Sequence, residues 1–146
     1  MVTTAQIKIK SLEEIEKTAK NGFSENTALI SIGDVGSKAP ELIYTPKWIL
    51  RLEFEDISLD DEEYGDKEYT IFNESMADEI ADFVNEHQNE VQTIICQCEY
   101  GQSRSAGVAA AILEYFHGNG IYIFADDRYY PNKLVFRLTL EALNKK

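Results

Sequence analysis

The apolar positions of this chain switch repeatedly between helical and strand spacing. Leu12, Ile15 and Ala19 form a helical stripe; Ser11 and Glu14 stand before it at capping-box spacing, and Asn21-Gly22 closes it. Residues 28–32 (ALISI) and 48–54 (WILRLEF) are short β-prone runs and predict strands. The stretch EDISLDDEEYGDKEYT, residues 55–70, is too polar for a core element and long enough to be a functional loop. Ser75 with Asp78 then predicts a helix start, with Met76, Ile80, Phe83 and Val84 on one face. A strand at 93–98 follows, then a helix at 103–117 that is apolar nearly all round, so a buried central helix, ending at Gly118-Asn119-Gly120. Pro131-Asn132 opens a last helix carrying Leu134, Val135, Leu138 and Ala142. Strands interleaved with crossover helices predict an α/β fold: a mostly parallel central sheet of about four to five strands, covered by helices on both faces. Its site should lie at the carboxyl end of a strand.

Composition narrows the class without naming a chemistry. The 146 residues suit one domain, spanning 1–146, and 44% hydrophobic with 27% charged residues is ordinary for a soluble globular protein. No apolar run is long enough to cross a bilayer and MVTTAQIKIK lacks a secretory pattern, so a cytoplasmic protein is expected. The 14 basic and 26 acidic residues leave a net charge of −12, which opposes nucleic acid, anionic membranes and polyphosphorylated lipids as partners. Cys96 and Cys98 lie two apart on one presumed strand, too far apart to bridge, and Cys96 reads as a core residue. His87 and His117 are far from that pair, so no metal site and no cofactor are expected.

Residues 93–105, TIICQCEYGQSRS, carry the chemistry. The strand ends at Cys98, five residues intervene, and Arg104 begins a helix. Gly101 permits a tight fold in which the N–H groups of residues 99–104 (Glu99, Tyr100, Gly101, Gln102, Ser103, Arg104) turn toward an anion, aided by the positive end of the helix dipole near Ser103. The planar guanidinium of Arg104 can hold two phosphoryl oxygens at once. Such a field favours a thiolate: a helix N-terminus with a nearby cation lowers a cysteine from roughly 8.5 to ~3.5–7.5. Within the loop, Glu99 repels a second phosphate and favours a substrate with one isolated phosphoryl group.

Cys98, Arg104 and Ser105 resemble the signature of the protein tyrosine phosphatases, specifically the small dual-specificity-like branch: a Cys, five residues, an Arg, then Ser or Thr. The likeness extends to IFNESMADEIADFV before the catalytic strand and to RYYPNKLVFRLTL near the end of the chain, covering about residues 28–143. It implies a phosphocysteine enzyme acting on a phosphotyrosine-bearing protein or small phosphomonoester. Cys98 attacks phosphorus, Arg104 and the loop amides hold the equatorial oxygens, and Ser105 stabilises the departing thiolate. Asn132, after the Pro, would brace the loop; an ordinary helix N-cap is the competing reading. One departure is Gln97, which stands where most members carry His and implies weaker thiol activation. A rhodanese-type loop is a residue shorter, and low-molecular-weight phosphatases and arsenate reductases place their Cys loop near the N-terminus.

The family also supplies a general acid from an Asp upstream of the Cys. Asp56 directly follows strand 48–54 but lies 42 residues before Cys98; Asp66 lies 32 before it, nearer the common spacing. Strand-end placement fixes a side chain better, so Asp56 is preferred, with Asp66, Asp60 and Asp61 as alternatives. A calcium loop from Asp56 is excluded by Asp61 at its sixth place and Lys67 at its twelfth. The alternative function is a phosphate-binding pseudophosphatase, in which the cradle survives and turnover does not.

Overall fold

Parallel strands inside a sheet need apolar cover on both faces, and every residue of Thr27–Gly33 and of Thr93–Gln97 is buried. The computed structural model describes residues 5–58 and 69–145. In chain order its elements are β1 (Gln6–Lys10), α1 (Leu12–Asn21), β2 (Thr27–Gly33), β3 (Trp48–Glu53), α2 (Glu74–His87), β4 (Thr93–Gln97), α3 (Arg104–His117), α4 (Ile121–Ala125) and α5 (Lys133–Lys145). The four strands lie in the order β1-β4-β2-β3, all parallel, with β4 paired to β1 on one side and to β2 on the other. All four therefore end on the same edge of the sheet.

The period of two along the central strands sorts their side chains between two layers. Ala28, Ile30, Ile32, Ile94 and Cys96 join the main core with residues of α2, α3 and α5, whereas Leu29 and Ile95 face the other way and pack on Ile15 of α1. Helices therefore cover both faces, as the interleaved pattern predicts. Among the described residues no helix is long and apolar enough to cross a membrane.

Three features depart from the sequence expectations. β1 was not expected: Ile7 and Ile9 alternate with lysines over only five residues, and the strand is defined by its pairing, Gln6↔Thr93 through Lys10↔Gln97. The cap of α2 lies two residues before Ser75: the Asn73 side chain accepts from Met76 N at 2.9 Å, and the helix starts at Glu74. The short α4 is apolar at every position and buries none of them, and five residues are too few to show a helical period.

α3 is buried from Arg104 to Ile112 and passes against β1, β4, β2 and α5. Its approach to α5 requires Gly107, where a Cβ would meet the Asn132 carbonyl oxygen at 2.8 Å and the Val135 Cβ at 3.1 Å. Gly107→Val is expected to force the helices apart at a cost of about 1–3 kcal/mol. A melting temperature equal to the parent's would show that the contact yields freely.

Candidate active site

Cys98 stands one residue beyond β4, at the sheet edge where the strands end, and the loop 99–103 leads from it into α3. Four carbonyls of this segment are held by partners outside the loop. Gln97 Nε2 donates to the Cys98 oxygen at 3.1 Å, and Leu12 N to the Glu99 oxygen at 3.0 Å. Tyr130 N donates to the Gln102 oxygen at 2.8 Å, and Asn132 N to the Ser103 oxygen at 3.1 Å. No peptide bond among the described residues is cis. In a trans peptide the N–H points opposite to its carbonyl, so the amides of Glu99, Tyr100, Ser103 and Arg104 point away from those four partners. None of the N–H groups of residues 99–104 donates to an acceptor among the described residues. Gly101, at φ +66°, makes the bend, and a Cβ there would lie 2.7 Å from Ser11 N, so the loop is seated tightly on the β1–α1 junction.

The start of α3 repeats the pattern. Ser103 occupies the N-cap, where a serine ordinarily satisfies the first helical amides, yet its side chain makes no capping bond. Its hydroxyl donates instead to Asp56 Oδ1 at 2.8 Å. The positive end of a buried helix is thus left uncapped beside a bend of unpaired amides, an arrangement that suits an anion.

Around this cradle stand the predicted side chains. Cys98 Sγ lies 3.0 Å from Ser105 Oγ, and both are buried. Arg104 is only 5% exposed; its Nη1 donates to Asp34 Oδ1 at 2.8 Å and to the Phe54 carbonyl at 2.7 Å, while its buried Nε has no partner among the described residues. One edge of the guanidinium is anchored and the other carries a free donor. Asp34 was not foreseen, although its place directly after β2, at the sheet edge that carries Cys98, is a signal that a strand-end search could have used. Both cysteines are free; burial, and then the neighbouring Cys98, push the Cys96 thiol far up, which keeps it protonated in the core.

Asp56 reaches the loop. Its Oδ1 accepts from Ser103 and from Asn132 Nδ2, the latter at 2.9 Å, while its side chain stays exposed and its Oδ2 accepts nothing among the described residues. Asn132 also accepts from Val135 N at 3.1 Å, so it caps α5 and braces the loop at once; the two readings of this residue coexist. Asp60, Asp61 and Asp66 lie outside the described residues. Among the described residues on either side, Glu55 N–H donates to the Thr70 carbonyl at 2.8 Å and Glu55 Oε2 accepts from Thr70 N at 2.9 Å.

Removing the Asn132 side chain deletes the cap, worth about 0.5–2 kcal/mol, and also frees Asp56. Asn132→Ala is therefore expected to lower stability and to lower oxyanion affinity, whereas Asn132→Ser, which can still cap, should recover only the stability. Thermal melts and anion titrations of the pair measure both.

No family model matches the chain, and no curated protein matches it by sequence. Solved structures do match. PTPMT1 in complex with PI(5)P is 14% identical, with 96% of this chain and 91% of that chain covered, at a TM-score of 0.59. Human DUSP28 is 12% identical, with 99% and 96% covered, also at 0.59. Tk-PTP in the active form is 13% identical, with 97% and 93% covered, at 0.58. At such identities the likeness concerns the fold, and across nearly its whole length this chain has the fold of the small dual-specificity and related protein tyrosine phosphatases.

Proposed function

We propose that the protein is a cysteine-dependent phosphomonoester hydrolase, a protein tyrosine phosphatase of single-domain, dual-specificity-like type working through a phosphocysteine. The observation that carries this reading is the run of unpaired amides at residues 99–104, closed by Arg104 and set directly after Cys98. A loop that seats six donors with no acceptor has a reason to exist if an oxyanion completes it.

In the first step the Cys98 thiolate attacks phosphorus and the bond to the leaving oxygen breaks. The loop amides and the free edge of Arg104 hold the equatorial oxygens, and the leaving oxygen takes a proton from the carboxyl of Asp56. In the second, water attacks the phosphocysteine, the Asp56 carboxylate accepts its proton, and the sulfur departs as a thiolate stabilised by the Ser105 hydroxyl 3.0 Å away. No cofactor enters this scheme. Asp56 fits its part because both of its hydrogen bonds fall on Oδ1, leaving Oδ2 to carry the proton. Tyr100, in the loop, and Tyr130, whose N–H holds Gln102, are 76% and 72% exposed, and exposed aromatic rings are a surface on which an aryl group stacks. These rings, with Glu99 in the loop, favour a phosphotyrosine-bearing protein or a small aryl phosphate over a polyphosphorylated substrate. The net charge of −12 disfavours nucleic acid and anionic membranes in the same way, and a cytoplasmic setting fits both.

One observation favours a second reading. Asp56 is engaged by Ser103 and Asn132, so it braces the loop whether or not it transfers a proton, and an oxyanion-binding pseudophosphatase would keep the same contacts. Turnover of an aromatic phosphomonoester separates the two. Cys98→Ser is expected to abolish turnover while retaining oxyanion binding, and Arg104→Ala to lose both; undiminished activity in Cys98→Ser would end the cysteine mechanism.

The acid is assigned by the leaving group. Asp56→Asn should depress hydrolysis of phosphotyrosine by about 10²–10⁴-fold, and that of an activated aryl phosphate far less, since a good leaving group departs without a proton. Asp66→Asn is the matched control, and a leaving-group-dependent loss there in place of Asp56→Asn would move the acid to residue 66.

A further inference from the structure

A row of polar residues, two buried and one half-buried, crosses the sheet behind the loop. Gln97, Ser31 and Arg51 are register partners on β4, β2 and β3, and they lie on the face that carries Leu29, Ile95 and Ile15. Gln97 and Ser31 are 1% and 2% exposed. Apolar residues would fill these positions at less desolvation cost, so the row calls for an explanation.

Its hydrogen bonds run in one direction. Arg51 Nη1 donates to Ser31 Oγ at 2.8 Å, Ser31 Oγ donates to Gln97 Oε1 at 2.6 Å, and Gln97 Nε2 donates to the Cys98 carbonyl at 3.1 Å. Each donation makes the next group a better donor. The last acceptor belongs to the same peptide unit as the Glu99 N–H, the first free amide of the cradle. Withdrawing electrons at that carbonyl sharpens the N–H on its far side, and holding the oxygen fixes the direction of the N–H.

The far end of the row is built to keep a cation in place. Arg51 Nη2 donates to Ser37 Oγ at 3.1 Å, and Gly33 leaves the room that the guanidinium fills, since a Cβ there would overlap both Arg51 and Ser37. Glu53 Oε2 stands 3.7 Å from Arg51 Nε, beyond hydrogen-bond reach, so it offsets the charge without drawing Nη1 away from Ser31. Arginine stays protonated at any working pH.

We propose that Arg51 and Ser31 are positioning residues for the phosphate loop. With Gln97 they form a relay that brings the polarisation of a permanent cation to the Cys98–Glu99 peptide, supplying through a non-titrating chain what Gln97 alone, as a neutral side chain, cannot. The proposal rests on the cradle reading above.

The test uses Cys98→Ser as the parent and sulfate as the probe, titrated by NMR with the Glu99 amide resolved. Ser31→Ala, Arg51→Met and Gln97→Leu are each expected to weaken sulfate binding by about 2- to 5-fold and to reduce the sulfate-induced downfield shift of the Glu99 amide proton. Arg51→Lys, which keeps a cation able to reach Ser31, should restore most of both. Unchanged affinity in Ser31→Ala and Arg51→Met would overturn the relay and leave the cradle intact. Weaker binding with an unmoved Glu99 shift, or with no rescue by Arg51→Lys, would assign the row to packing and overturn it as well. Absence of sulfate binding in the parent would remove the cradle and the relay together.

Discussion

The planarity of the peptide bond is the constraint on which the candidate site depends. Loop 99–103 keeps the side chains of Glu99, Tyr100 and Gln102 exposed and so has no side-chain core to hold its shape; its amides are oriented from behind, through their carbonyls. The four holders come from separate places: Leu12 at the start of α1, Gln97 on β4, and Tyr130 and Asn132 ahead of α5. The fold around the loop is, in this sense, a set of donors delivered to the outside of one bend. It also accounts for β1, since that strand brings the chain to Ser11 and Leu12 and so supplies the surface on which Gly101 rests.

A second constraint joins Arg104 and the half-buried Arg51. The turn after β2, closed by Ser37 N donating to the Asp34 carbonyl at 3.0 Å, offers the Asp34 carboxylate to Arg104 and the Ser37 hydroxyl to Arg51. Both guanidiniums are thereby referred to one short segment. Arg104 has little freedom left: two acceptors fix Nη1, and burial of the rest of the group makes a swing away from the loop costly. Preorganisation of this kind matters because a bidentate contact loses its value when the planar group must be gathered from many rotamers.

The parts of this arrangement differed in how far they could be read from residues alone. β2, β4 and α3 were legible because a buried strand or helix must be apolar over its whole length, and that requirement is local. The Cys98-to-Arg104 spacing was legible for a similar reason, since a bend of fixed length between a strand and a helix dictates where glycine and the cation stand. β1 and α4 were not, because five residues are too few for the alternation of the one or the uniform apolarity of the other to settle a period. Asp34 and the Arg51–Ser31–Gln97 row were hidden for a deeper reason. They depend on strand order and register, and those place residues 66 positions apart within hydrogen-bond distance. Gln97 shows the consequence: read alone it was a missing histidine, whereas in the sheet it is the end of a chain that begins at a guanidinium.

Stability and site compete at the start of α3. A serine at an N-cap ordinarily contributes about 0.5–2 kcal/mol relative to alanine by satisfying a helical amide. Ser103 gives that bond up and binds Asp56 in its place, leaving the helix end open. Asn132 offsets part of the loss from the neighbouring helix, since it caps α5 through Oδ1 while its Nδ2 reaches the same Asp56 oxygen. The carboxylate on which both residues converge is held at the rim of the loop by contacts from α3 and α5 at once. The close packing of those helices at Gly107 is then part of the site's geometry, because any side chain that spread them would first displace Asn132.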